Sequence, residues 1–233
     1  NTSVLANPTV TGLAAGLRTF TVTVSDINSC TATAQTLATI RAVPVVSPSS
    51  TAICAGLTLN LSSNASGGVP GYTYSWAGPG TINTSSSVNP SVTGLTFGSY
   101  TYSVTVRDSY SCSVTGQTTA TVHKLPVVQI NSTPVCAGQT LIVNSQVTLG
   151  SATTISQYLW SGPNFTSSQA GPSLSYQAAT TNLSGTYTIT IRDANSCTAT
   201  AIGTALVKPV PNPTASVAIS PICANENISL SVN

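Results

Sequence analysis

The chain has 233 residues, and only 4% of them are charged, six bases against four acids for a net charge of +2. Ordinary soluble domains carry roughly 25% charge, and isolated bases such as Arg18, Arg41 and Lys208 make no basic face, which excludes a phosphate-tracking nucleic-acid binder. Pro, Gly, Ser and Asn interrupt every apolar stretch before the run of about 18 residues that a membrane-spanning helix needs.

In chain order, the first signal is strict alternation. Phe20, Val22 and Val24 take turns with Thr21, Thr23 and Ser25, which predicts a strand with one buried and one wet face. It runs into Ser25-Asp26-Ile27-Asn28-Ser29-Cys30. After a joint at Pro44 comes Ile53-Cys54-Ala55-Gly56, then a strand with Leu59 and Leu61 inward, and an aromatic strand with Tyr72, Tyr74 and Trp76. Trp76-Ala77-Gly78-Pro79 turns the chain. Tyr102, Val104 and Val106 repeat the alternation, ending in Arg107-Asp108-Ser109-Tyr110-Ser111-Cys112.

The same series then recurs. Past Pro126 come Val135-Cys136-Ala137-Gly138, Leu141 and Val143, Tyr158 and Trp160 before Gly162-Pro163, then Tyr187, Ile189 and Ile191 before Arg192-Asp193-Ala194-Asn195-Ser196-Cys197. Past Pro209 and Pro211 stands Ile222-Cys223-Ala224-Asn225, with Ile228 and Leu230 beyond it. The first motif repeats at 82 and 87 residues and the second at 82 and 85. A period of about 85 residues is one small sandwich domain, so the fold expected is all-β: tandem immunoglobulin-like, Greek-key β-sandwich repeats.

Residues 1–30 align without a gap to 83–112, and 223–233 align to 54–64. The expected division is therefore 1–43 as the C-terminal half of a repeat, 44–125 and 126–208 as complete repeats, and 209–233 as the N-terminal part of another. Both ends then fall inside a repeat, which is expected of a window from a longer array. A half-sandwich leaves strand edges and core open, so the expected partner is a further copy or continuation of the same chain, head to tail. Joining the two end pieces rebuilds a repeat except for the counterparts of residues 65–82.

The order Pro-Val-Val, Cys-Ala-Gly, Tyr-x-Trp, Gly-x-Tyr-Thr, Asp-x-x-Ser-Cys resembles the PKD-like and bacterial Ig-like repeats of very large secreted surface proteins, especially the gliding and attachment adhesins of Bacteroidota. The resemblance covers essentially the whole chain. It implies a sandwich of about seven strands, a place at the cell surface and a stalk or adhesive role. The Trp-Asp-Phe-Gly-Asp segment of true PKD domains is replaced here by Trp76-Ala77-Gly78-Pro79 and Trp160-Ser161-Gly162-Pro163.

Catalytic chemistry finds few parts. His123 is the one histidine, and no carboxylate is near it in sequence to orient it as a base. Asp26, Asp108 and Asp193 stand a full repeat apart, so they cannot form a calcium cluster, and each is expected to cap its own turn as an Asx motif. No Cys-x-x-Cys pair suggests zinc. No enzyme activity, cofactor or metal is expected. Trp76 and Trp160 suit either exposed sugar-stacking platforms or the core tryptophan of a sandwich, with Tyr102 and Tyr187 beside them; the core reading is favoured.

Cys30, Cys54, Cys112, Cys136, Cys197 and Cys223 are all expected to be oxidised, as suits an exported chain. Their connectivity stays open. Pairing within a repeat joins Cys54 to Cys112 and Cys136 to Cys197. Greek-key geometry places the first motif at the A–B turn and the second at the F–G turn, at opposite poles, which instead joins Cys54 to Cys197 between neighbours. Eight Asn-x-Ser/Thr sequons occur, and Asn60, Asn64, Asn83, Asn131, Asn164 and Asn182 are the candidate glycosylation sites within or between the complete repeats.

The function expected is the shaft of an extracellular cell-surface filament or giant repetitive adhesin, stiffened by disulfides. The alternative is a glycan- or protein-binding adhesive module. The loops that precede the Trp strands, 63–69 and 148–155, are mostly small and polar.

Overall fold

A computed structural model describes residues 4–169, 171–217 and 221–232. Among them nearly every regular element is a strand; the exception is a 3-10 turn at Thr181–Leu183. Thr, Val, Tyr and Ile dominate the strands, as side chains that pack well on a pleated, half-buried surface. The chain divides into two compact units, Asn1–Lys124 and Leu125–Asn233.

The first unit opens with a hairpin, β1 (Gly16–Ser25) and β2 (Thr31–Ile40), paired from Gly16↔Ile40 to Ser25↔Thr31. Then follow β3 (Pro44–Ser50), β4 (Ile53–Cys54), β5 (Leu59–Gly67), β6 (Thr73–Ala77), β7 (Thr81–Asn83), β8 (Ser91–Thr93), β9 (Gly98–Arg107) and β10 (Ser113–His123). They form two four-stranded sheets, ordered β3-β5-β8-β7 and β4-β10-β9-β6. In immunoglobulin lettering this is A-B-E-D against A′-G-F-C, an all-β immunoglobulin-like sandwich. The first strand breaks between Ser50 and Ile53, and its second piece crosses sheets to run parallel to β10.

The second unit repeats the plan with β11 (Val127–Ser132), β12 (Val135–Cys136), β13 (Leu141–Thr148), β14 (Ile155–Gly162), β15 (Phe165–Gln169), β16 (Ser173–Tyr176), β17 (Gly185–Asp193), β18 (Thr198–Ala205) and β19 (Val207–Lys208). Sheet orders are β11-β13-β16 and β15-β14-β17-β18, with β12 parallel to β19. A short ribbon, β20 (Ala215–Val217) with β21 (Leu230–Val232), ends the described chain.

Each core is built by the alternating residues. Leu59, Leu61, Val92, Tyr102, Val104 and Val106 are buried around Trp76 in the first sandwich. Leu141, Val143, Tyr187, Ile189 and Ile191 surround Trp160 in the second. Each fully buried aliphatic side chain of this kind contributes about 1.5–3 kcal/mol. The tryptophan N–H groups are satisfied, Trp76 Nε1 donating to the Ser87 carbonyl and Trp160 Nε1 to that of Gly171, both at 3.1 Å.

The Gly-Pro after each tryptophan follows from the packing of the neighbouring strand. Tyr102 lies against Gly78 with its hydroxyl donating to the Pro79 carbonyl at 3.1 Å, and a Cβ on Gly78 would enter its ring. At Gly162 an added Cβ would stand 2.7 Å from Cδ1 of Tyr187. Glycine also lets the edges close: a Cβ on Gly116 would be 2.8 Å from Val46, and one on Gly203 would be 2.7 Å from Ile130, where the first strand packs on the last.

Gly162→Ala should therefore destabilise the second sandwich by about 1–3 kcal/mol through overpacking, and Trp160→Ala by about 3–5 kcal/mol. Gly171→Ala, which meets nothing within 4 Å, serves as the control; it should stay within about 0.5 kcal/mol. Urea midpoints of the three variants check the ranking.

Candidate functional site: the two poles of each repeat

The chemistry-bearing residues gather at the sandwich ends. Where the chain enters a repeat, the Asp-x-x-Ser-Cys segment makes the turn between the last two long strands. Asp108 Oδ1 accepts from the N–H groups of Tyr110 at 3.0 Å and Cys112 at 2.9 Å, while its own N–H donates to the Cys112 carbonyl at 3.0 Å. Asp26 and Asp193 repeat the arrangement, with Oδ1 accepting from Asn28 and Cys30 at 2.8 and 2.9 Å, and from Asn195 and Cys197 at 2.9 and 2.8 Å. Ser29, Ser111 and Ser196 take φ of 65°, 64° and 68°, the left-handed residue that closes each turn. All three acids are therefore turn caps.

In the first sandwich this turn is locked onto the point of chain entrance. Asp108 Oδ2 accepts from Val69 N at 3.1 Å, and a Cβ on Gly68 would lie 2.7 Å from that oxygen and 3.1 Å from Pro44 N. Burial pushes the Asp108 carboxyl up, but the N–H groups of Val69, Cys112 and Tyr110 and the charge of Arg41 outweigh it and hold it below the usual carboxylate range. Arg41 stacks 3.4 Å from the centre of the Tyr110 ring. The sequence signal for that stack was available: Arg41, His123 and Lys208 each stand three residues before a joint proline, at Pro44, Pro126 and Pro211.

At the opposite pole, where the chain leaves, sits the Cys-Ala-Gly turn. Cys54 is paired with His123 at the end of β10, and Ala55 N donates to the His123 carbonyl at 2.8 Å. Cys136 is paired with Lys208, and Ala137 N donates to the Lys208 carbonyl at 2.8 Å. Gly56 and Gly138 have φ of 86° and 87°, and Asn225 holds the third copy at 75°, a conformation Asn tolerates.

Cys54 and Cys197 are disulfide-bonded, and Cys30, Cys112, Cys136 and Cys223 are free thiols. Within these 233 residues this removes the pairs Cys54 with Cys112 and Cys136 with Cys197. The reason is length. Cys112 precedes β10 and Cys54 lies at its far end, eleven strand residues away; at ~3.3 Å per residue that is roughly 35 Å, against the 4.4–6.8 Å between Cα atoms that a disulfide spans.

Trp76, Trp160, Tyr102 and Tyr187 are all buried, so neither tryptophan is a sugar platform. Burial, aided by Tyr176, pushes the Tyr187 hydroxyl up to about 12. The backbone carbonyl four residues upstream accepts from Tyr187 in the second repeat and from Tyr100 in the first, although Tyr187 is the counterpart of Tyr102. His123 is half-buried in β10. Among the described residues no three His, Cys, Asp or Glu side chains gather as a metal site, and no helix is long and apolar enough to cross a membrane. Asn60, Asn64, Asn83, Asn131, Asn164 and Asn182 are all exposed; Asn1 lies outside the described residues.

No family model and no curated protein matches the chain. Among solved structures it is similar to an I-band fragment from titin, at 14% identity over 82% of this chain and 83% of that one, with a TM-score of 0.48. It is similar to the N-terminal four Ig domains of Dscam1, at 17% identity over 79% of this chain and a TM-score of 0.36, and spans 52% of that fragment. Fibronectin(III)-like modules of Clostridium thermocellum CbhA match at 16% identity over 71% of this chain and 95% of that one, with a TM-score of 0.35. Likeness at this level carries no argument about function, and the fold stands on its strand order.

Two titrations follow. Asp108→Asn keeps the turn acceptor and removes the charge. Because the folded carboxyl sits below its unfolded value, the stability it gives is present above about pH 4 and lost as pH falls further. The variant should melt below the parent at pH 7, and the gap should close in acid. Tyr187 should ionise last among the tyrosines in an alkaline absorbance titration, and the stability held by its neutral form, complete below about pH 10, should be lost as pH rises toward 12; Tyr187→Phe should delete that late step.

Proposed function

We propose that the chain is a stretch of the structural shaft of an extracellular filament or giant surface adhesin. The observation that carries this reading is the repetition of one sandwich in two complete copies, with only the three residues 124–126 between β10 and β11. Short Pro-containing joints leave little freedom between modules, and in repeat arrays each module contacts only its neighbours. A non-catalytic role belongs to the same reading, supported by Asp26, Asp108 and Asp193 serving as turn caps and His123 as a strand residue.

Further copies or continuation of the same repeat are the proposed partner, head to tail. Val22 and Val24 of β1 are 57% and 62% exposed, whereas their counterparts Val104 and Val106 are fully buried beneath a second sheet. An apolar strand face of that kind needs a covering sheet, which chain continuation or strand donation by another copy supplies. Glycans on exposed sequons would then give the solubility that so few charges cannot.

The adhesive alternative has one observation behind it, Tyr110 at 56% exposure on the entrance-pole turn. Arg41 covers one face of that ring, which weakens it as a stacking surface.

Electron microscopy of native material tests the shaft. Thin fibres with an axial spacing in multiples of roughly 35 to 45 Å, one sandwich length, are the expected result, and compact particles closed on themselves would overturn it. Intact mass above the 23.5 kDa of this chain's bare sequence, or of the corresponding native segment, tests glycosylation. Saturable binding to a glycan panel, lost in Tyr110→Ala, would favour the alternative.

A further inference from the structure

We propose that the disulfide is one rung of a regular ladder, in which the first-motif cysteine of each repeat bonds the second-motif cysteine of the repeat that follows it. Cys54 is then bonded to Cys197, and every joint in the array carries one such staple. This extends the shaft reading without depending on it, since a stapled array serves a binding protein equally well.

In the first sandwich, Cys54 is level with His123, the last residue of the last strand, so it sits where the chain leaves. In the second, β11 begins at Val127 opposite Thr148, and Ile155 at the start of β14 is paired with Asp193 of the turn that holds Cys197. Ala194 N also donates to the Thr154 carbonyl at 3.1 Å. Cys197 thus sits where the chain enters. Three residues, 124–126, connect the exit of one sandwich to the entrance of the next along the chain, so Cys54 belongs to the pole that the chain leaves and Cys197 to the pole that it enters.

The four thiols fall into place under the same rule. Cys112 and Cys30 are second-motif cysteines whose partners belong to the first motif of a preceding repeat. Cys136 and Cys223 are first-motif cysteines whose partners belong to the second motif of a following repeat. Within these 233 residues the rule permits one bond, between Cys54 and Cys197, and these are the two cysteines in the disulfide state. Each rung forms when two thiols release two protons and pass two electrons to a disulfide-bearing oxidant, which leaves as its dithiol. Successive rungs overlap along the chain, so no joint is held by backbone alone.

Peptide mapping without reduction tests the first rung. After cleavage at basic residues, the peptide 42–107 should be linked to the peptide beginning at Asp193, and Cys54→Ser and Cys197→Ser should each abolish the link. A link from 42–107 to 19–41, 108–124 or 125–192, or one that survives Cys197→Ser, would overturn the pairing. Single-molecule stretching gives an independent readout: reduction should release the 143 residues from 54 to 197, a contour gain of roughly 500 Å, and no gain would refute the staple. The ladder is tested by lengthening the chain past Asn233 with the counterparts of residues 65–208. Cys136 should then resist alkylation while Cys30 and Cys112 still react; a Cys136 that stays reactive would overturn the rule even if the first rung stands.

Discussion

The burial of one tryptophan in the core organises each sandwich. Trp76 is opposite Val104 across β6 and β9, and Trp160 is opposite Ile189 across β14 and β17, so each indole lies in the middle of the inner face. Its one polar atom has to find an acceptor inside the core, and in both repeats a backbone carbonyl eleven residues downstream provides it. That requirement fixes the course of the segment after the aromatic strand. The ring of Tyr102 or Tyr187 lies against the backbone two residues past each tryptophan, which is why only glycine is accommodated there.

The scarcity of charge becomes intelligible from the turns. Three of the four acids are spent on one task, giving two backbone N–H groups an acceptor at the F–G turn. Elsewhere the wet faces rely on hydroxyls that meet across strands, as Thr105 does with Thr115, Thr190 with Thr200 and Ser49 with Ser62, at 3.0, 3.1 and 2.8 Å. Cross-strand pairs of this kind are a source of sheet stability in their own right. A surface built this way has little long-range electrostatic field.

The poles differ in what they offer. The exit pole presents a cysteine on a two-residue parallel bridge, and the entrance pole presents one at the close of an aspartate-capped turn whose Asp and Cys N–H groups are both hydrogen-bonded. A rigid turn holds its sulfur in one place, which lowers the entropic cost of forming a bond there. The left-handed serine and the aspartate cap are thus as much a part of the cysteine's chemistry as the sulfur itself.

The sequence by itself determined the all-β class, the period near 85 residues, and the inward residues of the strands, because alternation and recurrence are local patterns that a sandwich cannot form without. It also determined that Asp26, Asp108 and Asp193 cap turns, since an Asx turn is made within five residues. Disulfide pairing was not legible, because two motifs at 58 residues in one repeat and 143 across two look equally available along the chain; the roughly 35 Å length of β10 decides against the shorter choice. The alternation in β1 and β9 is the same although Val24 is exposed and Val106 buried; only the repeat alignment, which makes residues 1–43 half a sandwich, separates them in the sequence. Alternation encodes which face seeks cover, and only the second sheet, a tertiary partner contributed from distant residues, determines whether that face is covered.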